Sequence, residues 1–326
     1  MARSAIMNRL IAFLTLATAF MLHGTALADP VQSVQYYEDQ DGVEVGSTGH
    51  GTDAHTPFAI ASIGKTMTSV AVLRLAEEGV IDIDGLAADW VPHQVKAGLG
   101  GLKRETNRDL LTMTSGLPDY LTDTYIDDAL ADPDRIQNPL TALSYAYGEK
   151  RVFETATAFD YSNTNYVLLG IILEAATGKS YAAIIQDEVF TPAGMGSSFV
   201  FGSAPLPDDF PNGHEDGYHY RAYYQAQGFG DGGVISTASD LARFYKALFV
   251  TKDLLSADSM RDFLFDPIGE GYGMGIDIAD GLLGHAGGDL GFASDVRFDP
   301  RTQAIAIFLS ADAEADTAWT YDRLLD

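Results

Sequence analysis

Phe58-Ala-Ile-Ala-Ser-Ile-Gly-Lys-Thr-Met-Thr-Ser-Val-Ala-Val-Leu-Arg-Leu-Ala-Glu-Glu-Gly79 is the stretch around which the chain is organised. Val70, Val72, Leu73 and Leu75 give the dense apolar spacing of a largely buried helix, and Gly79 after Glu77 and Glu78 is a C-terminal stop. Ser62 sits where the helix should begin, with Lys65 three residues on. At i and i+3 the two side chains share a face, so a hydroxyl and an amine can meet. A serine hydroxyl becomes a good nucleophile when a neighbouring base takes its proton. A lysine can be that base only if burial and positive surroundings lower its pKa. The helix N-terminus supplies part of that field, and the Ser62 amide there can donate to a developing oxyanion. The same residues also read as a capping serine followed by a surface lysine, and Ser-x-x-Lys often arises by chance. The rest of the chain must decide.

The chain has 326 residues, 46% of them hydrophobic, enough for a real core in one large or two smaller domains. Arg3 and Arg9, the apolar run Leu10 to Leu22 and then Ala26-Leu27-Ala28 read as a secretory signal peptide over residues 1–28. The run is short for a membrane span, so the expected product is an exported chain from Asp29, periplasmic or secreted, with no stable membrane span. There is no cysteine, hence no disulfide and no lipid anchor. The formal net charge is −26, and loss of Arg3 and Arg9 with the signal makes it more negative. Such a chain will not seek nucleic acid or an anionic membrane. Its acids are scattered, as in Asp127-Asp128 and Asp208-Asp209, which reads as a solvated surface suited to high salt.

Outward from the central stretch, Val31 to Glu38 and Val43 to Thr48 read as strands joined by the hairpin turn Asp39-Gln-Asp-Gly42. From Ile81 to Tyr224 the pattern turns helical. It includes a short helix from Arg108, one from Tyr166 to Thr177 stopped by Gly178, and one capped by Ser180 that should end before Pro192. Thr237-Ala-Ser-Asp240 is a capping box for Leu241 to Phe249. Strands are expected over Gly273 to Ile278, Leu282 to Gly287, Phe292 to Phe298 and Ala304 to Ser310, with a last helix over Glu314 to Leu325. The fold expected is α+β: one antiparallel sheet built from both chain ends (29–85 and 225–326), flanked by helices, with an inserted all-helical domain over 86–224. Trp90 and Trp319 read as packing residues.

Two further groupings carry chemistry. In Phe159-Asp-Tyr-Ser-Asn-Thr-Asn165, Tyr161 can relay protons if cationic neighbours lower its pKa, and Asn163 offers a donor and an acceptor to a substrate amide. In Gly284-His-Ala-Gly-Gly-Asp-Leu-Gly-Phe292, a strand with little side chain lets a ligand approach its backbone, where a free amide can complete an oxyanion hole. Taken singly, these are also a polar turn with a packed aromatic and an edge strand with an ordinary histidine. His214-Glu215 with His219 has two histidines five apart, not the four that put metal ligands on one helix face.

Taken together, Ser62-x-x-Lys65, Tyr161-x-Asn163 and His285-x-Gly287, in that order, resemble the penicillin-recognising serine hydrolases. The resemblance is to the branch of class C β-lactamases, DD-carboxypeptidases and β-lactamase-like carboxylesterases. It also includes Leu110-Leu-Thr-Met-Thr-Ser-Gly-Leu-Pro118 and Gly232-Gly-Val-Ile-Ser-Thr237, and runs from about Val31 to Ser310. It implies the β-lactamase/transpeptidase-like fold, Ser62 as acylated nucleophile, Lys65 as its base and Tyr161 as second proton carrier. Asn163 would hold the substrate's acyl-side amide, His285 would stand where relatives carry Lys or His, and the Gly288 amide would join that of Ser62 in the oxyanion hole. No cofactor or metal is called for.

Three departures stand out. Ala286 replaces a threonine that carboxylate-binding relatives use, Met113 stands where many relatives have histidine, and the mature chain lacks a leading helix common in relatives. The expected activity is hydrolysis of an ester or amide in a small-molecule or peptide substrate (a D-amino-acid peptide or β-lactam included), DD-carboxypeptidase-like or esterase-like. A class C-type β-lactamase is the alternative enzyme, and a non-catalytic β-lactam- or peptidoglycan-binding scaffold the alternative of another class. An unperturbed His285 would make a carboxylate-bearing substrate lose preference between pH 6 and 8.

Overall fold

The Asp39 carboxylate accepts from the amides of Asp41 and Gly42 at 2.8 and 3.2 Å, which closes the first hairpin as its sequence requires. In the computed structural model, which describes residues 30–214 and 220–325, the hairpin joins β1 (Ser33–Glu38) to β2 (Val43–Thr48). The expected signal peptide, and Glu215 and His219, lie outside the described residues.

β1 then pairs with β9 (Ile305–Ser310), so the two ends of the chain share one sheet. Its order is β2-β1-β9-β8-β7-β6, antiparallel throughout, with β6 at Asp277–Ala279, β7 at Leu282–Asp289 and β8 at Phe292–Phe298. Every residue of β8 and β9 is buried, so both faces of these central strands are covered. Alternation along β8 divides the labour. Phe292 meets Phe58 edge-on and Phe298 stacks on Phe249 of the helix Ala238–Phe249. Asp295 and Arg297 face the other way, toward Thr320 and Tyr321 of the terminal helix Trp319–Leu325.

The central stretch becomes a one-turn 3₁₀ helix, Ala61–Ile63, running into the α-helix Gly64–Glu77. That α-helix is buried from Gly64 to Leu73 and packs against Asn163–Thr177. Several boundaries differ from the sequence reading. The segment between residues 86 and 224 is not all helical, because Phe199–Val200 forms β4. With β3 (Phe58–Ala59) and β5 (Val234–Ser236) it makes a second sheet, in the order β3-β5-β4. Two-residue strands are too short to show an alternation. The strand expected from Gly273 is cut back to Asp277–Ala279. Gly275 turns at φ +70°, where a Cβ would lie 2.6 Å from Ser69 Oγ and 2.7 Å from Tyr166 Oη. The last helix starts at Trp319, since the Asp312 and Asp316 carboxylates hold turns before it. Helical structure also continues through Pro192 to Ala193, because a π turn over Gln186–Phe190 leads into it. Among the described residues no single helix is long and apolar enough to cross a bilayer.

Candidate active site

Ala61, the residue before Ser62, has φ +48°, a left-handed conformation that a non-glycine residue adopts only when its surroundings impose it. Those surroundings come from both sheets. Ile60 N donates to Val234 O at 3.1 Å, and Ser294 Oγ donates to Ile60 O at 2.9 Å. At Gly287 on β7 a Cβ would stand 2.5 Å from Ile60 O and 3.0 Å from Ala61 Cβ. At Gly232 it would stand 2.9 Å from the Ala61 carbonyl. Two side-chain-free positions therefore clamp the turn that presents Ser62.

Lys65, one turn into the helix, is wholly buried. Its Nζ lies 3.0 Å from Ser62 Oγ and 2.8 Å from Asn163 Oδ1, and also donates to the backbone carbonyl of Asp231. Burial pushes the ammonium down to about 8, against the pull of the Asp231, Asp119 and Asp289 carboxylates. The serine and lysine share a helix face, and the lysine is discharged more easily than a free one, but burial alone does this: the expected positive surroundings are replaced by three carboxylates.

Asn163 opens its helix three residues earlier than the apolar pattern begins. Ser162 gives that helix no side-chain cap. The Asp119 carboxylate does so instead, accepting from Asn163 N at 3.1 Å and from Asn163 Nδ2 at 2.9 Å. The side-chain amide is thus fixed at both ends, Oδ1 on Lys65 and Nδ2 on Asp119. One Nδ2 proton remains for a ligand. Burial raises Asp119 to about 6, opposed by the Leu121 amide, Asn163 and Lys65.

The Tyr161 ring lies under the amine, 5.0 Å from ring centroid to Lys65 Nζ. Its hydroxyl is buried without a well-aligned hydrogen-bond partner, with Ser62 the neighbour able to donate to its phenolate form. The sequence-level condition of a lowered pKa is not met. Burial drives the phenol well above its ordinary value, and Ser62 only partly offsets this, so Tyr161 stands protonated at neutral pH.

Gly288 is exposed at the rim of the same cleft as Ser62 and Asn163, with open space where a Cβ would be. His285 is not in that cleft. It is 3% exposed, with Nδ1 against Ala286 O and Nε2 3.2 Å from Tyr272 Oη, and its ring lies 6.1 Å from that of Tyr161. Burial lowers its pKa, with Asp277 opposing and Lys65 assisting.

Sequence reasoning passed over Asp119, Tyr120 and Asp231. Tyr120 Oη donates to Asp231 Oδ2 at 2.7 Å, while the Asp231 backbone takes Lys65. The first two follow directly on the Leu110–Pro118 motif, and Asp231 lies in the glycine run before β5, so adjacency was the available signal. Met113 also gains a place. It is buried at φ +57°, and its thioether accepts from Asn165 Nδ2 at 3.3 Å.

Fold and cleft together define a serine hydrolase of the acyl-enzyme, β-lactamase-fold class. The chain belongs to the β-lactamase family, whose model matches residues 15–326. It is 27% identical over 335 residues to penicillin-binding protein 4* of Bacillus subtilis, covering 94% of this chain and 72% of that one. The penicillin-binding protein of Bacillus halodurans superposes with a TM-score of 0.75 at 25% identity, covering 90% of this chain and 94% of that one. A D-stereospecific amidohydrolase from Streptomyces sp. gives 0.75 at 24% identity, covering 91% and 94%.

Proposed function

We propose that the protein is an exported hydrolase that cleaves an ester or amide through an acyl-Ser62 intermediate, with DD-carboxypeptidase-like or esterase-like specificity. The observation that carries this reading is the 3.0 Å approach of a fully buried, pKa-lowered Lys65 to Ser62 Oγ. Neutral Lys65 takes the Ser62 proton as Oγ attacks the substrate carbonyl. The resulting oxyanion is held by the Ser62 amide, at a helix start where no intrahelical acceptor exists, and by the Gly288 amide. Tyr161, protonated at rest, gives its proton to the departing amine or alcohol and recovers one from Lys65. Water then cleaves the ester by the same groups in reverse. The Asn163 Nδ2 proton left over from Asp119 takes the acyl-side carbonyl.

Intact-mass analysis after incubation with a fluorophosphonate, and separately with a penicillin, tests the proposal. A single adduct on Ser62 is expected with the first. A penicillin adduct that forms and clears within seconds would turn the reading to a class C-type β-lactamase. Absence of any adduct, with no turnover of activated esters, would leave a binding scaffold.

A further inference from the structure

The cleft that holds Ser62, Asn163 and Gly288 has further lining residues that make no contact with the reacting atoms in the proposed reaction. Asp231 and Asp289 both line it, and among the described residues that line it none is lysine, arginine or histidine. Tyr120, Tyr223 and Phe229 give it aromatic walls. Lys65 lies beneath Ser62 with its three hydrogen-bonding directions taken. The β7 edge where a carboxylate would be received offers an exposed Ala286 methyl, while His285 faces inward to Tyr272. A separate observation points to a bound group. Gln137 is 4% exposed and lines the cleft, and its Nε2 has no hydrogen-bond partner. A buried amide donor without an acceptor is costly unless a ligand supplies one.

Resting on the acyl-Ser62 reading, we infer that this site takes substrates carrying a positive charge near the scissile carbonyl together with a hydrogen-bond acceptor, and turns away anionic ones. Asp231 and Asp289 attract the cation in a partly desolvated cleft, and the aromatic walls accept it on their faces. Gln137 Nε2 donates to the acceptor, a carbonyl in the simplest case. An aminoacyl or peptidyl ester or amide with a free ammonium carries both features. A peptide ending in a carboxylate, or a β-lactam with its carboxylate, brings a like charge to two acids, and such juxtaposition is a strong means of exclusion, so this inference selects the esterase-like specificity over the DD-carboxypeptidase-like one.

Three p-nitrophenyl esters of similar bulk test this: 4-(trimethylammonio)butanoate, its carbon isostere 5,5-dimethylhexanoate, and 4-sulfobutanoate. Each kcat/KM is divided by the ester's own rate with hydroxide, which removes intrinsic reactivity. At low ionic strength the cation should exceed the isostere by about fivefold or more, and the anion should fall below it by a similar factor. Half-molar NaCl should shrink both ratios. Asp289→Asn, which keeps an acceptor for the Leu290 amide, should cut the cation-to-isostere ratio about threefold or more. A ratio of one or less in the wild type, or one unmoved in folded Asp289→Asn, overturns the inference. If that variant does not fold, the wild-type salt dependence decides in its place. Turnover of the neutral ester without charge preference sinks this inference alone. No turnover and no adduct at Ser62 sinks the hydrolase reading with it.

Discussion

Asn163 Oδ1 accepts from Lys65 Nζ at 2.8 Å across 98 residues of sequence. The contact ties the helix that carries the nucleophile to the first turn of a helix in the middle of the chain. It makes the amine's position depend on Asp119, which holds the other end of the same amide.

Ser62→Ala should abolish labelling by a fluorophosphonate, and Lys65→Ala should lower kcat/KM by about 10³-fold or more. The double variant should be little worse than either, since the two act as one unit. Equal rates in Ser62→Ala and wild type would end the assignment.

Acylation needs Lys65 uncharged, so kcat/KM for a neutral ester should rise with pH and level off above about 8. Asp119→Asn removes a carboxylate that favours the charged amine, so the rising limb should move to lower pH. Loosening Asn163 should also cost about tenfold on amide-bearing substrates. A limb that stays in place would show that Asp119 does not reach Lys65 electrostatically.

An unperturbed His285 would discriminate carboxylate substrates between pH 6 and 8, but burial lowers its pKa, so less of the ring is charged there than of a free imidazole. The peptide-to-ester ratio of kcat/KM should therefore change less over that interval than a free imidazole would make it. Stability should carry the signature instead. The unfolded histidine, with pKa ~6.5, binds its proton before the folded one does, so stability is lost as pH falls through 6.5. His285→Gln should lessen the fall in Tm from pH 6.5 to 5 relative to wild type. Parallel curves would contradict this.

Gly287→Ala should lower acylation by about 100-fold and reduce Tm, because its methyl meets Ile60 O at 2.5 Å beside the Ser62 turn. Gly288→Ala, one residue on and facing open space, should leave Tm within about 1–2 °C of wild type. Equal Tm losses in the two would show that the turn is not clamped as described.

The sheet and the nucleophile helix were legible because their signals are local. Turn residues at Asp39–Gly42 and apolar spacing after Ser62 are read from neighbouring residues alone. What escaped depends on distant partners. The start of the Asn163 helix is capped by a carboxylate 44 residues away, and β4 exists only because β5 offers it an edge. The protonation of Tyr161 and His285 was not legible, since burial, which local sequence does not report, sets both pKa shifts. The Asp119–Asn163–Lys65–Asp231 chain escaped for the same reason, as its links join four separate segments.

The three partners of Lys65 Nζ are not alike. Asn163 Oδ1 and the Asp231 carbonyl can only accept, whereas Ser62 Oγ carries a proton and can donate. A charged amine spends three protons on three oxygens. A neutral one keeps two for the fixed acceptors and turns its lone pair to the serine. Discharging Lys65 therefore reverses the polarity of one hydrogen bond and breaks none, so the resting and reactive forms share one heavy-atom arrangement.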